Sequence, residues 1–125
     1  MYVPAPDESI WVGVLRLALQ VPGARSLKDR RAGVAHVKER LRARHEVSVA
    51  EVGHLESHER AVVAVCSVHS DPRALRSQLD GLRAEVESWG RVLVTSAHLT
   101  IERPGGASPS DDGSDGFEGA VPRWR

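Results

Sequence analysis

Val21-Pro22-Gly23-Ala24-Arg25-Ser26-Leu27-Lys28-Asp29-Arg30-Arg31 is the stretch that decides the fold, because a strand pattern gives way to a helical one within it. Upstream, residues 10–21 are rich in Val and Leu and stop at Pro22-Gly23, which marks a strand running into a turn. Ser26 then stands three positions before Asp29. In that serine-x-x-acid spacing the side chains satisfy free amides at a helix start. Leu27, Val34, Val37 and Leu41 follow at helical spacing and predict a helix that ends near His45.

Downstream, residues 47–52 and 61–68 have the composition of strands, and the polar stretch 53–60 between them suits a hairpin. Asp71-Pro72 is a helix start, with Asp71 as cap and Pro72 at the first helical position. Leu75, Leu79, Leu82, Val86 and Trp89 then fall within a stripe about 80° wide at 100° per residue, and Gly90 stops the helix. Residues 92–101 make the last strand. The order βαββαβ, two right-handed crossovers joined by a hairpin, predicts an α+β ferredoxin-like sandwich. It has a four-stranded antiparallel sheet with two helices on one face. In that topology the first and third strands are central, and these two carry near-continuous apolar runs, Val12-Gly13-Val14-Leu15 and Ala61-Val62-Val63-Ala64-Val65-Cys66. A sheet wet on one side should alternate. The runs therefore predict a homo-oligomer whose second subunit covers the open face around Val12, Val14 and one parity of 61–68. A moderately apolar exposed sheet is the plainer alternative.

Composition sets the limits of this domain. Residues 103–125 hold five Gly, three Pro and three Ser, with Asp111, Asp112, Asp115 and Glu118 among them. Such a segment has too little apolar area to offset the entropy of ordering it, so it is expected to be a disordered tail. Residues 1–9, with Pro4 and Pro6, are expected to be a flexible lead-in, leaving 10–102 as the domain. No apolar run approaches the roughly 20 residues that span a bilayer, and the N-terminus lacks the pattern of an export signal. The single cysteine, Cys66, sits in an apolar run, which fits a small buried hydrophobe in a reducing cytoplasm.

The zero net charge hides a polarised chain. Between Arg25 and His45 there are eight Lys or Arg against two acids, and the remainder carries nine bases against fifteen acids. Projected at 100° per residue, Lys28, Arg31, Lys38 and Arg42 fall within one stripe about 80° wide beside the apolar face. Arg30, Arg40 and Arg44 border the other side, and Arg25 lies in the preceding turn. Several cations along a rigid rod suit phosphate contact with strong salt dependence, and structured RNA is held largely by shape and backbone. A solvated helix face whose arginine stems cover the core edge is the competing explanation. Trp11 is the only aromatic on a predicted strand, so bases stacked on the sheet are not expected.

Three further chemistries find weaker support. The turn at residues 20–26 brings Arg25 beside free helix amides, the place where acylphosphatases hold phosphate on the same fold, but their glycine-rich loop is not reproduced. His54 and His58 flank Leu55-Glu56-Ser57 in a predicted hairpin loop, not on a helix, and no third metal ligand is evident. No Ser-His-Asp spacing carries a signal for nucleophilic catalysis. No cofactor is called for.

The succession from Val21 to Arg31, followed by Val47-Ser48-Val49-Ala50-Glu51-Val52, resembles the YlxP-like family of small, uncharacterised bacterial proteins. The likeness covers residues 10–101. It implies a cytoplasmic ferredoxin-like domain, and the family's genes often adjoin those for translation and ribosome maturation factors, which implies RNA or ribosome work. It supplies no reaction and no catalytic residues. The chain departs from the family pattern at His54, where an acid is expected, and in its long tail. The expectation is a non-catalytic RNA- or ribosome-associated protein, with no membrane partner, using Arg25, Lys28, Arg31, Lys38 and Arg42. The alternatives are a homo-oligomeric interaction module working through the open sheet, and a phosphate-processing enzyme at residues 23–26.

Overall fold

A computed structural model describes residues 1–104; apart from Arg103 and Pro104, the segment expected to be a tail lies outside the described residues. The elements are β1 (Trp11–Gln20), α1 (Leu27–Arg44), β2 (Ser48–Gly53), β3 (Arg60–His69), α2 (Pro72–Asp80), α3 (Leu82–Ser88) and β4 (Leu93–Glu102). The sheet order is β2-β3-β1-β4 with every neighbouring pair antiparallel, so the two apolar-run strands are the central ones. This is the ferredoxin-like arrangement that the sequence predicts.

Strand parity separates two faces. Leu15, Leu17 and Leu19 of β1 lie opposite Val65, Val63 and Ala61 of β3, and all six are buried beneath the helices. Val34, Val37 and Leu41 of α1, with Leu75, Leu79, Leu82 and Val86 of α2 and α3, close this core from above. Each such side chain contributes about 1.5–3 kcal/mol on burial. Gly13 decides how closely α2 approaches. A Cβ there would lie 2.5 Å from Leu79 Cδ1 and 3.1 Å from Leu75 Cγ. Any larger residue there would require Leu79 and Leu75 to shift.

The starts and stops follow local chemistry. Ser26 Oγ accepts from the Asp29 amide at 3.1 Å, and Asp71 Oδ1 accepts from the Arg73 amide at 3.0 Å. Gly90 has φ of 72°, the left-handed value that ends a helix. The second helix is not continuous as predicted. It breaks at Gly81 into α2 and α3, although the buried stripe Leu75, Leu79, Leu82, Val86 runs unbroken across the interruption. Packing holds the face in line while glycine, a poor helix former, lets the backbone depart at Asp80-Gly81.

The largest departure from expectation concerns Arg30, placed by projection at the border of the apolar face. It is 2% exposed and lies among Gly33, Val34 and Val37. Its Nη1 pairs with the Glu51 carboxylate of β2, and its Nη2 donates to the Leu55 carbonyl at 3.3 Å. Removing one member of a buried pair strands the other charge. We expect Glu51→Ala to lower the unfolding free energy by about 3–5 kcal/mol in urea titration, and Arg30→Met with Glu51→Leu to recover most of it. An unchanged midpoint in Glu51→Ala would show that the pair is dispensable.

Candidate nucleic-acid interface

α1 carries two populations of cations, distinguished by what they touch. Arg30 is consumed by Glu51. Arg44 Nε donates to Glu85 Oε2 at 2.8 Å, and His45 Nε2 lies 3.0 Å from both oxygens of the same carboxylate, fastening the end of α1 to α3. The Arg40 guanidinium sits 4.9 Å from the centre of the Trp89 ring, a cation–π contact that covers the edge of the core. Sequence alone groups these three arginines with the basic ridge; the fold uses all of them internally.

The other population is the predicted stripe. Lys28, Arg31 and Arg42 are exposed and Lys38 is half-buried; helical spacing puts them on one flank of α1, from which Arg42 reaches β2. Among the described residues none of the four, and not Arg25, forms a salt bridge with a carboxylate. Arg42 alone has a partner of another kind: its Nη2 donates to the Val49 carbonyl of β2 at 2.8 Å. Like charges three and four residues apart cost a helix about 0.2–0.5 kcal/mol per pair. Lys28 and Arg31 also stand near the N-terminal end of α1, where the helix dipole disfavours cations, whereas Arg42 near the other end is favoured by it. Fold stability therefore gives no reason for Lys28 and Arg31, while an approaching anion would relieve both penalties.

Arg25 lies before the N-cap, outside the stripe. Its backbone amide donates to Asp29 Oδ2 at 3.0 Å, so the carboxylate of Asp29 already occupies the turn where a phosphate would sit in the enzyme alternative. His54 and His58 are both exposed, His58 lies 3.9 Å from Glu59, and no group of three or more metal-ligating side chains is assembled among the described residues.

The open face of the sheet presents Val12, Val14, Ala64, Cys66 and Val68 toward one end. Val14 is 39% and Val68 62% exposed, and Val52, displaced by the irregularity between Glu51 and Gly53, is 55% exposed. Val62, of the same parity, is buried beside Gly53 at the start of the hairpin loop. Toward the other end, Ala18, Gln20, His54, Arg60 and Thr95 line an open depression of about 400 Å³. Trp11 has the opposite parity: it packs against the core, and its Nε1 donates to Ser9 Oγ at 3.1 Å. No aromatic side chain lies on the open face among the described strands. Partial burial pushes the Cys66 thiol above its ordinary pKa, which keeps it protonated near neutrality and chemically quiet.

Partial burial pushes the Glu85 carboxyl up, but the hydrogen bonds from His45 and Arg44 outweigh it and hold the group below the usual glutamate range. A depressed carboxyl contributes stability that is present above its unfolded pKa and lost as pH falls through the folded value. Thermal melts from pH 7 to the acid limb should therefore show a shallower acid loss in Glu85→Gln than in the parent. Coincident profiles would show that the cluster adds nothing to acid sensitivity.

Residues 12–99 match a family model described as "Protein of unknown function (DUF503)". No curated protein matches the chain. Similar solved structures include the de novo designed protein Foldit4, at 13% identity and a TM-score of 0.45, covering 74% of this chain and 96% of that one. SnoaB, a cofactor-independent oxygenase from Streptomyces nogalater, is similar at 12% identity and a TM-score of 0.39, covering 81% of this chain and 98% of that one. The C-terminal domain of the MgtC protein from Mycobacterium tuberculosis is similar at 16% identity and a TM-score of 0.36, covering 85% and 100%. At those scores and identities the likenesses say nothing of activity or ligand.

Proposed function

The chain belongs to the family described as "Protein of unknown function (DUF503)", and we propose that it is a non-catalytic binding protein whose α1 stripe holds the phosphate backbone of RNA, free or within the ribosome. The Ser26-Leu27-Lys28 helix opening and the Val47 to Val52 strand support placing it among YlxP-like proteins inside that family, acting in the cytoplasm. On this reading residues 10–102 are the domain proper, flanked by the lead-in 1–9 and the tail 103–125.

The observation that carries this reading is the segregation of cations on one helix. Arg30, Arg40 and Arg44 are committed to the fold, while Lys28, Arg31, Lys38 and Arg42 share one flank and form no salt bridge among the described residues. A rod of about four cations, with Arg25 ahead of it, matches repeated phosphates and needs no base reading. The absence of aromatics from the open face favours backbone over base contact. Binding to an RNA duplex should weaken steeply between about 50 and about 200 mM salt. Lys28→Ala with Arg31→Ala and Arg42→Ala should weaken it further and lower the salt slope by about one for each phosphate no longer engaged. Arg76→Ala, on α2, should leave affinity nearly unchanged. Equal affinity of the triple variant and the parent would overturn the proposal.

A second reading rests on Val14, Val52 and Val68, which stand exposed on or beside a sheet face with no helix above it. A homodimer formed face to face there would cover them. Sedimentation at micromolar concentration should then give a dimer that Val14→Lys with Val68→Lys converts to a monomer; a monomeric parent would remove this reading.

A further inference from the structure

The flank of α1 that carries Lys38 and Arg42 has a charge complement elsewhere in the same chain. Asp111, Asp112, Asp115 and Glu118 fall within eight consecutive positions that contain no Lys or Arg. Neither group of charges has a local reason to be so concentrated, and together they account for much of the polarity hidden by a zero net charge. We infer that the acidic run 111–118 docks on the α1 stripe of its own molecule and competes there with polyanions.

The topology makes the contact reachable. Arg42 donates to the Val49 carbonyl, and Val49 stands in register with Val65, Leu15 and Leu99 across the sheet. The basic flank is thus level with Leu99, three strand spacings away, about 14 Å. β4 leaves the sheet at Glu102, three residues beyond Leu99, and Asp111 is the seventh residue after Pro104. Seven residues span up to about 23–25 Å, more than the width of the sheet from β4 to β2, and the acidic run extends that reach through Glu118. A competitor on the same chain acts at an effective concentration of about millimolar, so the acidic run acting together holds most molecules once its dissociation constant for the stripe falls below about 1 mM. Exposed pairs of this kind are screened by salt, which makes the contact strongest at low ionic strength.

The competitive part rests on the polyanion reading of the stripe; the docking itself does not. The test compares the full chain with a full-length variant carrying Asp111→Asn, Asp112→Asn, Asp115→Asn and Glu118→Gln. Titration with an RNA duplex should give a dissociation constant about three- to tenfold lower for the variant at about 50 mM salt. The difference should shrink to less than about twofold at about 200 mM salt. Without RNA, the side-chain resonances of Lys38 and Arg42 should differ between the two proteins at low salt and converge as salt is added. Tighter RNA binding by the variant with unmoved resonances would reflect net charge alone and overturn the inference, as would no change in either measurement. Shifted resonances with no RNA bound by either protein would sustain the docking and defeat the polyanion reading.

Discussion

The buried pairing of Arg30 with Glu51 fixes the rotation of α1, and the rest of the molecule is arranged around that rotation. Arg30 occupies a core position, so without an acid and a carbonyl to meet its guanidinium the helix would roll to free it. Because Glu51 points inward from β2 and Leu55 closes the hairpin loop, the pair ties helix, edge strand and loop at one point. Once α1 is set in this way, Val34, Val37 and Leu41 face the sheet and Lys28, Arg31, Lys38 and Arg42 are turned outward over β2.

This constraint also explains why charge and structure cannot be read from composition alone. Eight Lys or Arg crowd residues 25–45, yet three of them serve as fasteners: one in the core, one on a tryptophan, one on a glutamate shared with His45. The rest form a surface whose like charges are mildly unfavourable for the helix itself. A protein that keeps such a row keeps it against its own helical stability. That imbalance, more than the number of arginines, is what the proposed role of the flank rests on.

Much of the architecture was legible in sequence because it depends on local rules. Pro22-Gly23, Ser26 with Asp29, Asp71-Pro72 and Gly90 each act within a few residues, and the structure places turns, caps and the stop where they stand. The strand order followed from topology, whereas the continuous apolar run of β3 left its parity open until the register with β1 resolved it. The break at Gly81 was missed because the apolar stripe continues across it. Arg30 was missed although a signal existed: Leu27, Arg30, Val34, Val37 and Leu41 keep an unbroken three-four spacing with a charge at its second place. The projection identified the stripe, but it could not say which cations stay free, since the partners of Arg30, Arg40 and Arg44 lie 21, 49 and 41 residues away in sequence.

The bond from Arg42 to the Val49 carbonyl has a bearing on how molecules of this protein meet in solution. β2 is the outer strand on its side of the sheet, six residues long, irregular at its far end, and overhung by a row of positive side chains. An unguarded border of that kind templates further strands and seeds fibrillar assembly. Here a guanidinium engages one of its backbone acceptors, and any chain that tried to zip alongside would have to displace it beneath a repelling canopy. The row of cations thereby discourages this margin of the sheet from growing into an aggregate.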